Sequence, residues 1–139
     1  HDYFYVPSNV YLVGMMNTAD RSLALLDYAL RRRFDFFDLA PAFDSDGFRS
    51  YQEVVGSPRL DRLVSCVKRL NEDISADESL GDGFCIGHSY LCNLDSDAIE
   101  EGALSDVVEY ELLPLLREYW FDDPDKLAAW AGELRGAAK

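Results

Sequence analysis

Seven apolar residues in an unbroken row, VYLVGMM at positions 10–16, demand burial on two faces at once. A run of this length without alternation suits a strand inside a parallel sheet that is covered by helices. It ends in Asn17, Thr18, Ala19 and Asp20, polar residues suited to a turn and a helix N-cap. From residue 22 to residue 33 the spacing turns helical, with Leu23, Leu26 and Leu30 on one stripe and Arg31, Arg32 and Arg33 closing it. FDFFDL at positions 34–39 alternates in part and reads as a second strand that Pro41 ends. Residues 10–39 are therefore expected to form a strand, helix and strand. Two such strands cannot satisfy their own faces, so further strands are expected N-terminal to His1.

Beyond residue 42 the pattern is helical. Asp44 to Gly47 is a turn before a short helix over residues 48–55, and Ser57-Pro58 is a helix start with proline at its first position. Leu60, Leu63, Val64, Val67, Leu70 and Ile74 then hold one stripe for about four turns. A loop is expected at residues 80–83, a helix start at residues 87–89, and a long helix over residues 103–119 that Pro114 should kink or split. Asp123-Pro124 opens a last amphipathic helix carrying Leu127, Trp130, Ala131 and Leu134. The expected architecture is thus an α/β fragment in residues 1–43 and an all-α helical region in residues 44–139, predominantly helical overall.

With 48% hydrophobic residues the chain has material for a packed core, which argues against global disorder. Its 13 Lys+Arg stand against 26 Asp+Glu, and a net charge of −13 disfavours a free-standing nucleic-acid binder. No apolar run approaches the ~20 residues of a membrane span, and the first ten residues lack the basic start of a signal peptide. Three cysteines (Cys66, Cys85, Cys92) in such a chain are expected to be reduced, which points to the cytoplasm. Cys85, His88 and Cys92 have a spacing zinc could use, but they sit in the apolar stretch FCIGHSYLC without a second ligand pair, so core packing is the favoured reading and no metal is expected.

Nucleotide motifs are incomplete. No G-x-x-x-x-G-K-[ST] loop occurs, no apolar strand ends in paired acids for magnesium, and Gly81, Gly83 and Gly87 are one residue off a dinucleotide fingerprint. What stands out is GMMNTADRS at positions 14–22 with LLDYALRRRF at 25–34. An Asn at the C-terminal end of a buried parallel strand lies where α/β sheets place ligands, and its amide can hold a water against a phosphate. Guanidinium groups at the far end of the next helix can reach a neighbouring subunit's phosphates. Each has a plainer explanation: Asn17 and Asp20 as helix caps, the arginines as partners of a helix dipole. Twelve residues separate Asp20 from Arg32 on one strand–helix unit, and that pairing favours function.

These residues resemble the McrB family, the GTP-hydrolysing AAA+ motor subunits of McrBC-type restriction systems that cut methylated DNA. The likeness continues in GFCIGHSYLC at positions 83–92 and ELLPLLREYWFDDP at 111–124, and so covers nearly the whole chain. The resemblance implies that Asn17 is the sensor asparagine that orients the attacking water, with Thr18, Ala19 and Asp20 completing its loop. It makes one of Arg31, Arg32 and Arg33 the trans-acting arginine finger, Arg32 by preference and Arg33 beside it. Residues from Asp44 onward become the helical lid over the nucleotide. Many such lids carry a sensor arginine where this chain has Gly87-His88-Ser89-Tyr90, so His88 or Ser89 takes the nucleotide contact here, unless His88 is a core or cap histidine. GTP and Mg2+, a hexameric ring, a McrC-type nuclease and DNA contacts through other domains are implied for the intact protein. The fragment alone, without P-loop and magnesium strand, is expected to bind no cofactor and hydrolyse nothing.

A reading from another class takes the chain as a non-catalytic helical interaction module. Its acidic, aromatic-rich end, with four Lys/Arg against twelve Asp/Glu in residues 95–139, would then dock on a protein partner.

Overall fold

A computed structural model of the 139-residue chain describes residues 5–17 and 28–139. The chain forms two compact units, His1–Asp35 and Phe36–Lys139.

In the first unit, residues 10–17 run without regular structure and without cover, Val13 being 92% and Met15 98% exposed. The expected strand over residues 10–16 is not formed, nor is the one over residues 34–39; no strand occurs among the described residues. A strand exists through its ladder, and neither segment has a paired neighbour among these residues to supply one. The expected helix over residues 22–33 is represented by its last turn, α1 (Tyr28–Arg31). Residues 18–27 lie outside the described residues, and Thr18, Ala19 and Asp20 with them.

The second unit is helical and begins its core at Phe43, which is 4% exposed. Ser45 caps α2 (Asp46–Val55) by accepting from the Phe48 amide, and Gly56, in the left-handed region at φ 60°, ends it. Ser57 caps α3 (Pro58–Ala76) in the same way, with Pro58 where an unpaired amide would otherwise stand. The stripe expected on α3 is the one buried: Leu60, Leu63, Val67, Leu70 and Ile74 are inaccessible to solvent. Each such side chain contributes roughly 2 kcal/mol of apolar burial. Asp95 caps α4 (Ser96–Glu101), which ends at Gly102. After it come α5 (Ala103–Val107), a π-helical turn at Val108–Leu112, α6 (Leu113–Tyr119) and α7 (Pro124–Ala137), the last capped by Asp123. α7 lies along α3, and Leu104, Val108, Leu112, Leu116 and Leu134 join the α3 stripe in one core.

Pro114 acts on the helix that contains it by widening it. Proline offers no amide to the carbonyl four residues back, and its ring crowds that carbonyl. The π turn directly before it, closed by Leu113 N–H on the Val108 carbonyl, opens the helix by one residue and lets it continue. Two other expectations change: the helix start at residues 87–89 is a single 3-10 turn, His88–Leu91, and the loop at residues 80–83 runs into another, Asp82–Phe84. No helix among the described residues is long and apolar enough to cross a membrane.

Candidate functional site

Asn17 ends the uncovered run of residues 10–17 and is itself exposed. Arg31 is the last residue of α1, with Arg32 and Arg33 in the turn that follows, and all three are exposed. Asn17 and the three arginines therefore fall in the first compact unit, with their side chains accessible. An exposed amide can position a water and exposed guanidiniums can reach an anion.

His88 and Ser89 lie in the second unit, on the segment that joins α3 to α4. Four side-chain clamps fasten this segment. Asn71 of α3 takes both main-chain groups of Ile86, accepting from its N–H at 2.6 Å and donating to its carbonyl at 2.9 Å. Tyr51 of α2 does the same for Leu94, donating to its carbonyl at 2.7 Å and accepting from its N–H at 3.0 Å. Burial pushes the Tyr51 phenol up, so it keeps the proton it donates. His88 accepts the Ala42 N–H on Nδ1 at 3.2 Å and stands edge-on to Phe43 and Phe48. Its Nδ1 is thus an acceptor, while Ser89 beside it is exposed.

The fourth clamp gathers charge. Asp77, just past α3, accepts from the Ser79 hydroxyl and amide, from Trp120 Nε1 at 3.0 Å and from Lys126 Nζ at 3.1 Å. The Ser79 hydroxyl first, then the Trp120 indole and the Ser79 amide, with Lys126 after them, hold its carboxyl well below the usual carboxylate range. Lys126 also lies over the Trp120 ring, 4.6 Å from its centre, and 3.5 Å from Asp73, which in turn accepts from Trp130 Nε1 at 2.7 Å. The end of α3, the α6–α7 turn and α7 are tied at one point.

The cysteines serve packing. Cys85 donates to the Asn71 carbonyl and Cys92 to the His88 carbonyl, and burial raises all three thiols, which makes them poor nucleophiles and poor metal ligands. No group of three His, Cys, Asp or Glu among the described residues could hold a metal ion. An open groove of about 590 Å3 runs between α3 and α7, with Cys66, Gly132 and Gly136 in it and an Arg69–Glu133 pair at 2.9 Å. The clamp residues Tyr51, Asn71, Asp77 and Trp120 had no sequence signal, since apart from Ser79 beside Asp77 their partners lie from 15 to 49 residues away.

The chain fits the family described as "McrB, alpha-helical lid domain" over residues 62–128. Over 142 aligned residues it is 45% identical to the type IV methyl-directed restriction enzyme EcoKMcrB subunit of Escherichia coli K12. The chain belongs to the McrB family. That alignment takes in 96% of this chain and 30% of the relative, so the chain spans less than a third of the curated protein it matches. The McrB lid match runs from the first turns of α3 into α7 and includes Asn71, Asp77, His88, Trp120 and Lys126. Ala42, Tyr51 and Trp130, which bond to His88, Leu94 and Asp73, lie outside it.

Proposed function

We propose that this chain is the sensor and lid portion of a McrB-like AAA+ GTPase that drives DNA translocation and cleavage in a modification-dependent restriction system. The observation that carries the reading is the 45% identity over 96% of the chain, a span too complete to leave out residues 17–33. The uncovered apolar segments add to it, because residues 10–16 and 34–39 are suited to a sheet completed by other parts of such a protein.

In this reading residues 1–43 complete the nucleotide-binding core and residues 44–139 close over it. Asn17 orients the attacking water within its own subunit, next to Thr18 and Asp20. Arg32, with Arg31 or Arg33 as its alternates by helix phase, enters the neighbouring subunit's site and meets charge that develops on the transferring phosphate. His88 and Ser89 contribute the lid's contact with the nucleotide. The ring is a cytoplasmic hexamer that works with a McrC-type nuclease, and DNA is read by domains outside this chain. Mg2+ and the phosphates are held by other parts of the protein, in keeping with the lack of a G-x-x-x-x-G-K-[ST] loop in this sequence. Alone, the chain hydrolyses no GTP.

GTP turnover by the full-length protein tests the roles. Arg32→Ala is expected to reduce kcat by about 10³-fold, within the range of a removed arginine finger, and Asn17→Ala by about 10²-fold or more. Near wild-type turnover in both variants would refute the assignment.

A further inference from the structure

The second unit opens on residues 36–41, ahead of its buried core. Phe37 and Leu39 are 86% and 95% exposed, and residues 37–41 make no main-chain hydrogen bond among the described residues. Pro41 has no amide to give and biases Ala40 towards extended backbone. One residue later the chain is fully held. The Ala42 N–H donates to His88 Nδ1 at 3.2 Å, and its carbonyl accepts from the Ser45 amide at 3.1 Å and hydroxyl at 2.8 Å. Phe43 is buried, with its ring edge-on to Phe48 at 5.4 Å and to His88 at 6.1 Å. His88 comes from 46 residues further along, in a segment that Asn71 fixes to α3 through Ile86.

We infer that His88 is a positioning residue: through Nδ1 and its ring it fastens the backbone to the lid at Ala42, and so confines the loosely held stretch ahead of the lid core to residues 37–41. Hinges are a few residues that absorb φ/ψ change while both flanks stay rigid, and the step from unbonded backbone to a doubly held residue at Ala42 has that form. A lid attached without this latch would carry its own first helix, α2, on a longer and softer tether. The consequence for nucleotide turnover rests on the function proposed above, whereas the latch itself does not.

Amide hydrogen exchange of this chain without nucleotide tests the latch, and its outcome is separate from that of the turnover assay on Asn17 and Arg32. In the wild type, residues 37–40 exchange fast and Ala42 slowly. His88→Ala is expected to speed exchange at Ala42 by about tenfold or more, the loss of one part-buried hydrogen bond with its ring contacts, while the α3 amides stay protected. His88→Asn, whose carbonyl oxygen is bonded to Cγ as Nδ1 is, restores slow exchange, and His88→Gln, whose oxygen falls nearer Nε2, does not. If His88→Ala also strips protection from α3, the Asn and Gln pair alone decides. Unchanged exchange at Ala42 in His88→Ala, rescue by Gln in place of Asn, or slow exchange across residues 37–40 in the wild type overturns the inference.

Discussion

Residues 5–17 and 34–39 are as rich in large apolar side chains as α3 is, yet the two regions end in opposite states. Along α3 the apolar residues recur on one stripe and are buried against helices of the same unit. In residues 10–16 they occupy consecutive positions, point to both sides of the backbone and stay exposed. An amphipathic helix needs one neighbouring surface and makes all its backbone bonds itself. A strand apolar on both faces needs paired strands beside it and layers above and below. The difference teaches which part of the chain is self-sufficient: the lid completes its own core, and residues 10–16 find no such cover among the described residues.

Several measurements can break this contrast or sharpen it. The largest effect is expected in the lid core. Leu63→Ala should cost about 3 kcal/mol and lower the melting temperature by on the order of 10 °C, whereas Val13→Ser should leave it nearly unchanged. A large thermal loss from Val13→Ser would show that residues 10–16 are already packed. The same uncovered segments should make the chain associate with itself as concentration rises, and Val13→Ser should weaken that association. A compact monomer at high concentration in the ultracentrifuge would count against it.

Next in size is the Asp77 knot. Asp77→Asn keeps the shape but sets an amide against the Trp120 and Lys126 donors, and should cost about 1–2 kcal/mol. Because the folded carboxyl is held below its unfolded value, its stabilisation is complete above the usual carboxylate pKa of about 4. It erodes as pH falls below that value and is gone once pH passes the folded value. The variant should therefore show a flatter acid limb in thermal melts than the wild type, and an identical limb would remove Asp77 from the account. Tyr51→Phe loses the hydroxyl that serves both main-chain groups of Leu94 and should cost about 1 kcal/mol in chemical denaturation. The smallest effect is expected for Arg69→Ala, whose partner Glu133 is equally exposed, with no measurable change in melting.

Local chemistry made much of the lid legible. Ser57-Pro58, Asp123-Pro124 and the six-residue stripe of α3 each state their helix within a few residues, and Pro114 announced a disturbance whose form, a π turn, follows from its missing amide. α4 was also written in the chain, as Asp95 at its cap and Gly102 at its end, but six residues carry too little periodicity to stand out. The strands failed for another reason. Periodicity states what surroundings a segment needs, and residues 10–16 and 34–39 do not find those surroundings among the described residues. The clamps were invisible because Asp73 meets Trp130 57 residues away, and His88 meets Ala42 across 46. His88 stood out as a nucleotide contact or core histidine, and its bond to Ala42 could be read only from the fold.

The central claim is that Asn17 and Arg32 serve opposite sides of a cleft shared by two subunits, and a mixing experiment on the full-length protein tests it most directly. Asn17→Ala and Arg32→Ala subunits, each inactive alone, are combined in equal amounts and GTP hydrolysis is followed. In a head-to-tail ring, random assembly gives roughly a quarter of the sites an intact asparagine and an intact neighbouring arginine, so activity should return to a substantial fraction of wild type. A mixture as inactive as its two components would place both residues in the same subunit's site, or in none, and contradict the account.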